Sequence, residues 1–164
     1  MPPYRLPTLL EMREAADEEA KQAFSEAMRA LTREQEAQKK LEQDLERRKL
    51  ERKAKIQAYL EEVMKKGINS GGMTQMSRFE QRLKDDEAQV ALEIERQKEV
   101  VRQAAKALEQ RRVEMAEAAK DKKAIEKHKD TWTKEVRKEM QTKEEMNQEE
   151  IGNALHLARS RKQG

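Results

Sequence analysis

Gly67-Ile68-Asn69-Ser70-Gly71-Gly72 holds three of the five glycines in the 164-residue chain. On either side the sequence runs from Thr8 to Lys66, and again from Met73 to Ile151, without a glycine or a proline. These are the two residues that a helix interior excludes most strongly, one through backbone entropy and the other through a missing N–H and a steric clash. Two long uninterrupted stretches joined by one short break therefore predict two long helices folded back on each other. The sequence reads as an all-α protein, a single antiparallel coiled-coil hairpin over residues 1–164. Its helices fall at about 8–66 and about 77–160, with a turn at about 67–76.

The ends of the helices are marked. Thr8-Leu9-Leu10-Glu11 fits a capping box, in which a hydroxyl and a carboxylate satisfy orphan backbone N–H groups. Lys65 and Lys66 suit the negative end of the first helix dipole, and Gly67 suits a left-handed residue just past it. Ser77-Arg78-Phe79-Glu80 is a second capping box that would open the second helix.

Composition points the same way. Charged residues make up 42% of the chain and aromatics 3%, too polar for an ordinary globular core. Disorder is the alternative for so polar a chain. The apolar residues nevertheless keep steps of three and four, the period of a left-handed coiled coil. Leu10, Asp17, Phe24, Leu31, Gln38, Leu41, Leu45, Arg52 and Tyr59 trace the seam of the first helix. Leu83, Val90, Ile94, Gln97, Val101, Leu108, Met115, Lys122, Ile125 and Trp132 trace that of the second. Polar residues within these seams lower stability and help to fix register.

A turn centred near residues 71 and 72 would pair residues whose numbers sum to about 142, placing seam on seam. Leu10 would then meet Trp132, Leu41 would meet Val101, and Leu6 would lie near Val136. Residues from about 137 to 160 would have no first helix opposite them, an overhang of about 36 Å. It carries Met140, Met146, Ile151, Leu155 and Leu157, an apolar set suited to a partner.

Several function classes are excluded or disfavoured. The net charge of +3 comes from the ends, Arg5, Arg159, Arg161 and Lys162, whereas both long stretches are nearly balanced. A nucleic-acid binder concentrates positive charge on one face, so DNA and RNA are disfavoured. The absence of cysteine excludes disulfides and thiolate metal sites. Met1-Pro2-Pro3-Tyr4-Arg5 lacks the apolar stretch of a signal peptide, and no apolar run approaches a membrane span. The expectation is a soluble, cytoplasmic protein without direct membrane insertion. His128 and His156 lie too far apart on one helix to share a site and read as surface histidines. Gly67–Gly72 lacks the Gly-Lys-Ser/Thr ending of a phosphate loop. No catalytic or metal-ligating constellation, and no cofactor site, emerges.

Three clusters remain. Tyr59, Phe79 and Leu83, with Val90 one heptad on, gather at the turn end. Tyr4, Leu6, Leu9, Leu10, Arg13, Trp132, Val136 and Met140 gather at the open end. Seam packing is the plain alternative for the first cluster, and packing beneath the N-terminal residues for the second. The basic tail Arg159-Ser160-Arg161-Lys162 is of a kind usually solvated and disordered.

The opening Tyr4-Arg5-Leu6-Pro7-Thr8-Leu9-Leu10-Glu11-Met12-Arg13, followed by an Ala/Glu/Lys-rich helix, resembles the FliJ/YscO family of type III secretion stalk proteins. The segment His128-Lys129-Asp130-Thr131-Trp132-Thr133-Lys134-Glu135 and the Glu/Gln-rich stretch to Leu157 look more like the injectisome (virulence) branch than the flagellar one. The resemblance implies a non-enzymatic central stalk, similar to the rotary ATPase gamma subunit and monomeric in isolation. It would lie in the channel of a hexameric secretion ATPase at the cytoplasmic face of the secretion apparatus. It would promote assembly and activity of the ATPase, and link it to the cytoplasmic domain of the membrane export gate. Some relatives also bind export chaperones. By the same resemblance, Arg5, Leu6, Leu9, Leu10, Arg13, Trp132, Val136 and Met140 at the open end would contact the ATPase. Tyr59, Phe79, Leu83 and Val90 at the turn would contact the gate. A generic coiled-coil scaffold, or an adaptor for export chaperones, is the alternative.

Overall fold

The structure is a computed structural model that describes every residue except Met1, Pro2, Arg5, Ile68 and Gly164, with Gln163 described by its backbone alone. It contains two helices, α1 (Pro7–Lys66) and α2 (Ser70–Gln163), and no strand among the described residues. The fold is an all-α hairpin.

The start of α1 is set by proline rather than by Thr8. Pro7 occupies the first helical position, where its missing N–H costs nothing and its fixed φ is already helical. The Leu10 N–H donates to the Leu6 carbonyl at 3.1 Å, so the first turn closes on Leu6, two residues before the Thr8 cap that the capping box implied. The other end follows expectation. Lys65 and Lys66 fill the last turn, and Gly67 takes φ +89°, the left-handed conformation that ends the helix.

The turn is shorter than the sequence reading of 67–76. The Asn69 side-chain oxygen accepts the Gly72 N–H at 2.6 Å, and the Asn69 carbonyl accepts the Met73 N–H at 3.2 Å. Asn69 is therefore the N-cap of α2, and Ser77 lies inside the helix. A good cap contributes about 1 kcal/mol, which offsets about half of what Gly71 and Gly72 together cost the helix. At its other end α2 continues to Gln163, past the expected stop near residue 160.

Contacts group the chain into two compact units, Gln22–Val113 and Met1–Lys21 with Glu114–Gly164. In the first, Val90 and Ile94 are the most buried apolar side chains, with Glu87 buried beside them. Arg52 Nε donates to Glu87 Oε2 at 2.7 Å, and Gln97 Nε2 donates to both the Glu34 carbonyl (2.9 Å) and the Glu34 carboxylate (2.6 Å). In the second, Tyr4, Leu10, Asp17 and Val136 are buried. Arg13 pairs with Asp121 at 3.4 Å, and Lys122 reaches Asp17 at 3.5 Å. In the first unit the α2 partner falls from 97 to 87 as the α1 residue rises from 34 to 52, and in the second it falls from His128 at Tyr4 to Asp121 at Arg13, so the helices are antiparallel.

These ties correct the register. Glu34 with Gln97 and Arg52 with Glu87 give sums of 131 and 139, bracketing 135 rather than 142. In the other unit Arg13 with Asp121 gives 134 and Asp17 with Lys122 gives 139. Trp132, expected opposite Leu10, instead packs on Tyr4. The cause is the turn, whose centre lies near residue 68 because Asn69 caps α2 so early. The difference is close to seven residues, one heptad, and a heptad shift returns every seam position to the seam. Apolar pattern alone is therefore blind to it.

Candidate functional site

The turn end lies within the Gln22–Val113 unit. Tyr59 is half-buried, and its hydroxyl donates to the Gly72 carbonyl at 3.3 Å, fixing the ring across the turn. Phe79 and Leu83 are also half-buried. Val90, the fourth residue singled out at this end, is only 6% exposed, so it serves the seam and offers little surface. Tyr59 and Phe79 line a groove of about 810 Å³ together with Gln75, Arg78, Gln81 and Arg82. Tyr59 also lines a smaller recess of about 250 Å³ at the turn itself, with Glu62, Val63, Lys66, Gly67, Asn69 and Gly72.

The open end lies within the other unit. Leu10 and Val136 are buried, Leu9, Arg13 and Trp132 are half-buried, and Leu6 and Met140 are exposed. Arg5 lies outside the described residues. The residue that organises this end is Tyr4. It is 9% exposed and meets Trp132 edge-on at a centroid distance of 5.3 Å and an angle of 64°. Its hydroxyl lies 2.6 Å from His128 Nδ1, and the Lys129 ammonium stands 6.0 Å from its ring centre. His128 is exposed, as the sequence suggested, but it is not a partnerless surface histidine. No periodicity foretells this contact, because Tyr4 precedes the first helix and belongs to no heptad.

Beneath this cluster, Asp17 is buried at 3% exposure. A hydrogen bond from Lys21 holds its carboxyl below the usual carboxylate range against the opposing effect of burial, and Lys122 adds to the lowering. Only Oδ2 carries these ties; Oδ1 is buried without a partner among the described residues. Asp17 sits on the seam that the spacing marked out. Glu87, its counterpart in the other unit, was missed, because charge carries no periodic signal of burial until its Arg52 partner is known.

Beyond Val136 every residue from Arg137 to Lys162 is exposed, including Met140, Met146, Ile151, Leu155 and Leu157. At about 1.5 Å per residue that stretch is roughly 39 Å long. Arg159, Arg161 and Lys162 belong to its helix. Among the described residues no group of three or more His, Cys, Asp or Glu could hold a metal ion. Among the described residues no helix is long and apolar enough to cross a membrane.

The profile of the YscO-like protein family matches residues 1–162. Among solved structures, one described as that of a YscO homologue from Chlamydia trachomatis matches with a TM-score of 0.81 at 28% identity. The match covers 98% of this chain and 99% of that one. No curated protein sequence matches.

Proposed function

The chain belongs to the YscO-like family, and on that premise we propose that it is the non-enzymatic central stalk of a type III secretion ATPase complex. The observation that carries this reading is the end-to-end match to a YscO homologue, which spans the hairpin and the exposed C-terminal part of α2 alike. The open end, with Leu6, Leu9, Leu10, Arg13, Trp132, Val136, Met140 and the exposed stretch 137–162, enters the hexameric ATPase. The turn end, with Tyr59, Phe79 and Leu83, faces the cytoplasmic domain of the export gate. A lone helical pair in a sixfold ring contacts its six neighbours unequally. It acts on the ATPase by binding one nucleotide state better than another. Nearly balanced charge along both helices supports weak, exchangeable contacts rather than one locked interface.

The test is ATP hydrolysis by the cognate secretion ATPase titrated with this protein. A rate that rises and saturates near one copy per six ATPase subunits is the expected result, and removal of residues 141–164 should abolish the rise. An unchanged rate and hexamer population would leave the scaffold reading. The adaptor reading draws on the exposed Met140, Met146, Ile151 and Leu155. Co-elution with an export chaperone, lost on the same truncation while ATPase stimulation persists, would favour it.

A further inference from the structure

Through much of α2, charge is matched within the helix. Glu99 pairs with Arg102, Glu109 with Arg112, and Asp130 with Lys134, each three or four residues apart. The exposed C-terminal stretch is built differently. Residues 144–150 hold four glutamates and no basic residue, and 151–158 hold no Asp, Glu, Lys or Arg. Residues 159–162 then hold Arg159, Arg161 and Lys162 and no acid. No side chain of opposite charge stands three or four residues from any of these seven, the spacing at which helix neighbours meet. No ion pair engages them among the described residues, and Glu145 accepts only the Gln141 amide at 3.5 Å. Ile151, Leu155 and Ala158, at steps of four and three, share one exposed face through the uncharged block. Glu144 and Gln148 continue that face in one direction and Lys162 in the other.

We propose that this stretch pairs antiparallel with the same stretch of a second copy of the chain. A two-fold axis near residue 153 sets Ile151 of each copy against Leu155 of the other, with partner numbers summing to 306. The same axis brings Glu144 to Lys162 of the second copy, and Glu145 to its Arg159 across the flank of the seam, twice each by symmetry. Lys143, next to the acidic block, falls opposite position 163, past the basic one. A foreign helix of one sign would satisfy one block and oppose the other, whereas a second copy satisfies both. A parallel pair would set Glu144 against Glu144 and Lys162 against Lys162, and like charges across the seam repel. Exposed ion pairs contribute little affinity, but they select partner and orientation. The apolar contact is two large side chains and an alanine per copy, well under the roughly 1,200 Å² of a stable complex. The chain is therefore single when dilute and pairs as its concentration rises. Pairing covers residues assigned above to the ATPase, so a paired chain cannot enter the ring. That exclusion rests on the functional reading above; the pair itself does not.

The experiment is sedimentation velocity of the full chain from about 5 to about 500 μM, the range suited to so small an interface, at low and physiological salt. The sedimentation coefficient should rise with concentration, and less steeply at the higher salt. I151Q/L155Q should stay monomeric throughout, with circular dichroism at the lowest concentration matching wild type. E144K/E145R should weaken association about tenfold or more, because both ends of the pair then repel. E144K/E145R/R159E/K162E exchanges the two signs and should recover it. A wild-type chain that stays monomeric at the highest concentration, association undiminished in I151Q/L155Q, or association indifferent to E144K/E145R would each overturn the proposal. ATPase stimulation is measured on the same variants. If wild type never pairs and I151Q/L155Q abolishes stimulation, the face belongs to the ring and the pair is overturned alone. Pairing by a wild-type chain that never stimulates sinks the stalk reading and leaves the pair standing.

Discussion

The hydroxyl of Tyr4 lies 2.6 Å from Nδ1 of His128, joining residues 124 positions apart. Tyr4 is not in a helix; it stands three residues before α1 begins at Pro7. The phenol and the ring nitrogen are within hydrogen-bond distance, and the imidazole tautomer decides which of the two donates. The ring of Tyr4 meanwhile covers Trp132. One side chain thus anchors the segment leading into α1 to the flank of α2.

Removing that anchor should be visible at Trp132, the only tryptophan in the chain. Tyr4→Phe should destabilise by about 1 kcal/mol, the usual net contribution of one hydrogen bond. Tyr4→Ala should cost about 2–3 kcal/mol and expose the indole. The emission maximum of Trp132 should shift to the red and acrylamide quenching should rise in Tyr4→Ala, but hardly in Tyr4→Phe. Identical spectra in all three proteins would show that Tyr4 does not cover Trp132 in solution.

Much of the hairpin was legible in the sequence. Exclusion of Gly and Pro, Gly67 after paired lysines, and the 3–4 spacing through Val90 and Ile94 specify two helices and their facing sides. Two features were not. The start of α2 depends on whether the Asn69 cap outweighs Gly71 and Gly72, a balance of two terms of similar size that composition does not decide. The register follows from that start. Seven residues is the repeat of the seam itself, so Leu10 facing Trp132 looked as good as the pairing the structure contains. At the candidate site, the turn-end aromatics were visible as residue types, whereas the burial of Val90 and the role of His128 emerge only from packing.

The register lends itself to cross-linking, because the chain has no native cysteine. Leu41→Cys should form a disulfide readily with Ile94→Cys, a pair that sums to 135 as the Glu34–Gln97 and Arg52–Glu87 ties require. The pair Leu41→Cys with Val101→Cys is one heptad away, a displacement of about 10 Å along the axis, and should stay reduced, since bridged cysteines need Cα atoms within about 7 Å. Efficient trapping of the second pair would restore the longer turn.

Stability should fall in acid. Lys21 holds Asp17 below its ordinary range, Arg47 and Arg48 do the same for Asp44, and Arg112 does so for Glu109. A carboxyl whose folded value is depressed stabilises the fold above its unfolded value and loses that contribution as pH falls through the folded one. Melting temperature should therefore be flat near neutrality and drop below about pH 4. Asp17→Asn supplies the internal control. It should melt lower than wild type at neutral pH, and the gap should narrow as pH falls through the depressed folded value of the wild-type carboxyl, which is then itself protonated. A gap that persists undiminished in acid would mean that the ties to Lys21 and Lys122 contribute nothing through charge.

Two glycines should answer the same substitution with opposite signs. Gly67 has φ +89°, and a Cβ there would meet nothing within 4 Å, so Gly67→Ala is penalised by the backbone alone. The left-handed conformation costs an ordinary L-residue roughly 1–2 kcal/mol, and Gly67→Asn should cost less because asparagine tolerates it better. Gly152 lies inside α2, with equally open space around its Cβ and no left-handed φ. Alanine is the better helix former there by about 1 kcal/mol, so Gly152→Ala should raise helicity in the exposed stretch 137–162. Urea denaturation reads the first effect, and far-UV circular dichroism during gentle heating reads the second. If Gly67→Ala proved neutral, the chain would not turn at Gly67, and both the Asn69 cap and the 135 register would fall with it. If Gly152→Ala left helicity unchanged, the stretch would already be fully formed without a partner, and its exposed methionines and leucines would be presented on a preorganised helix.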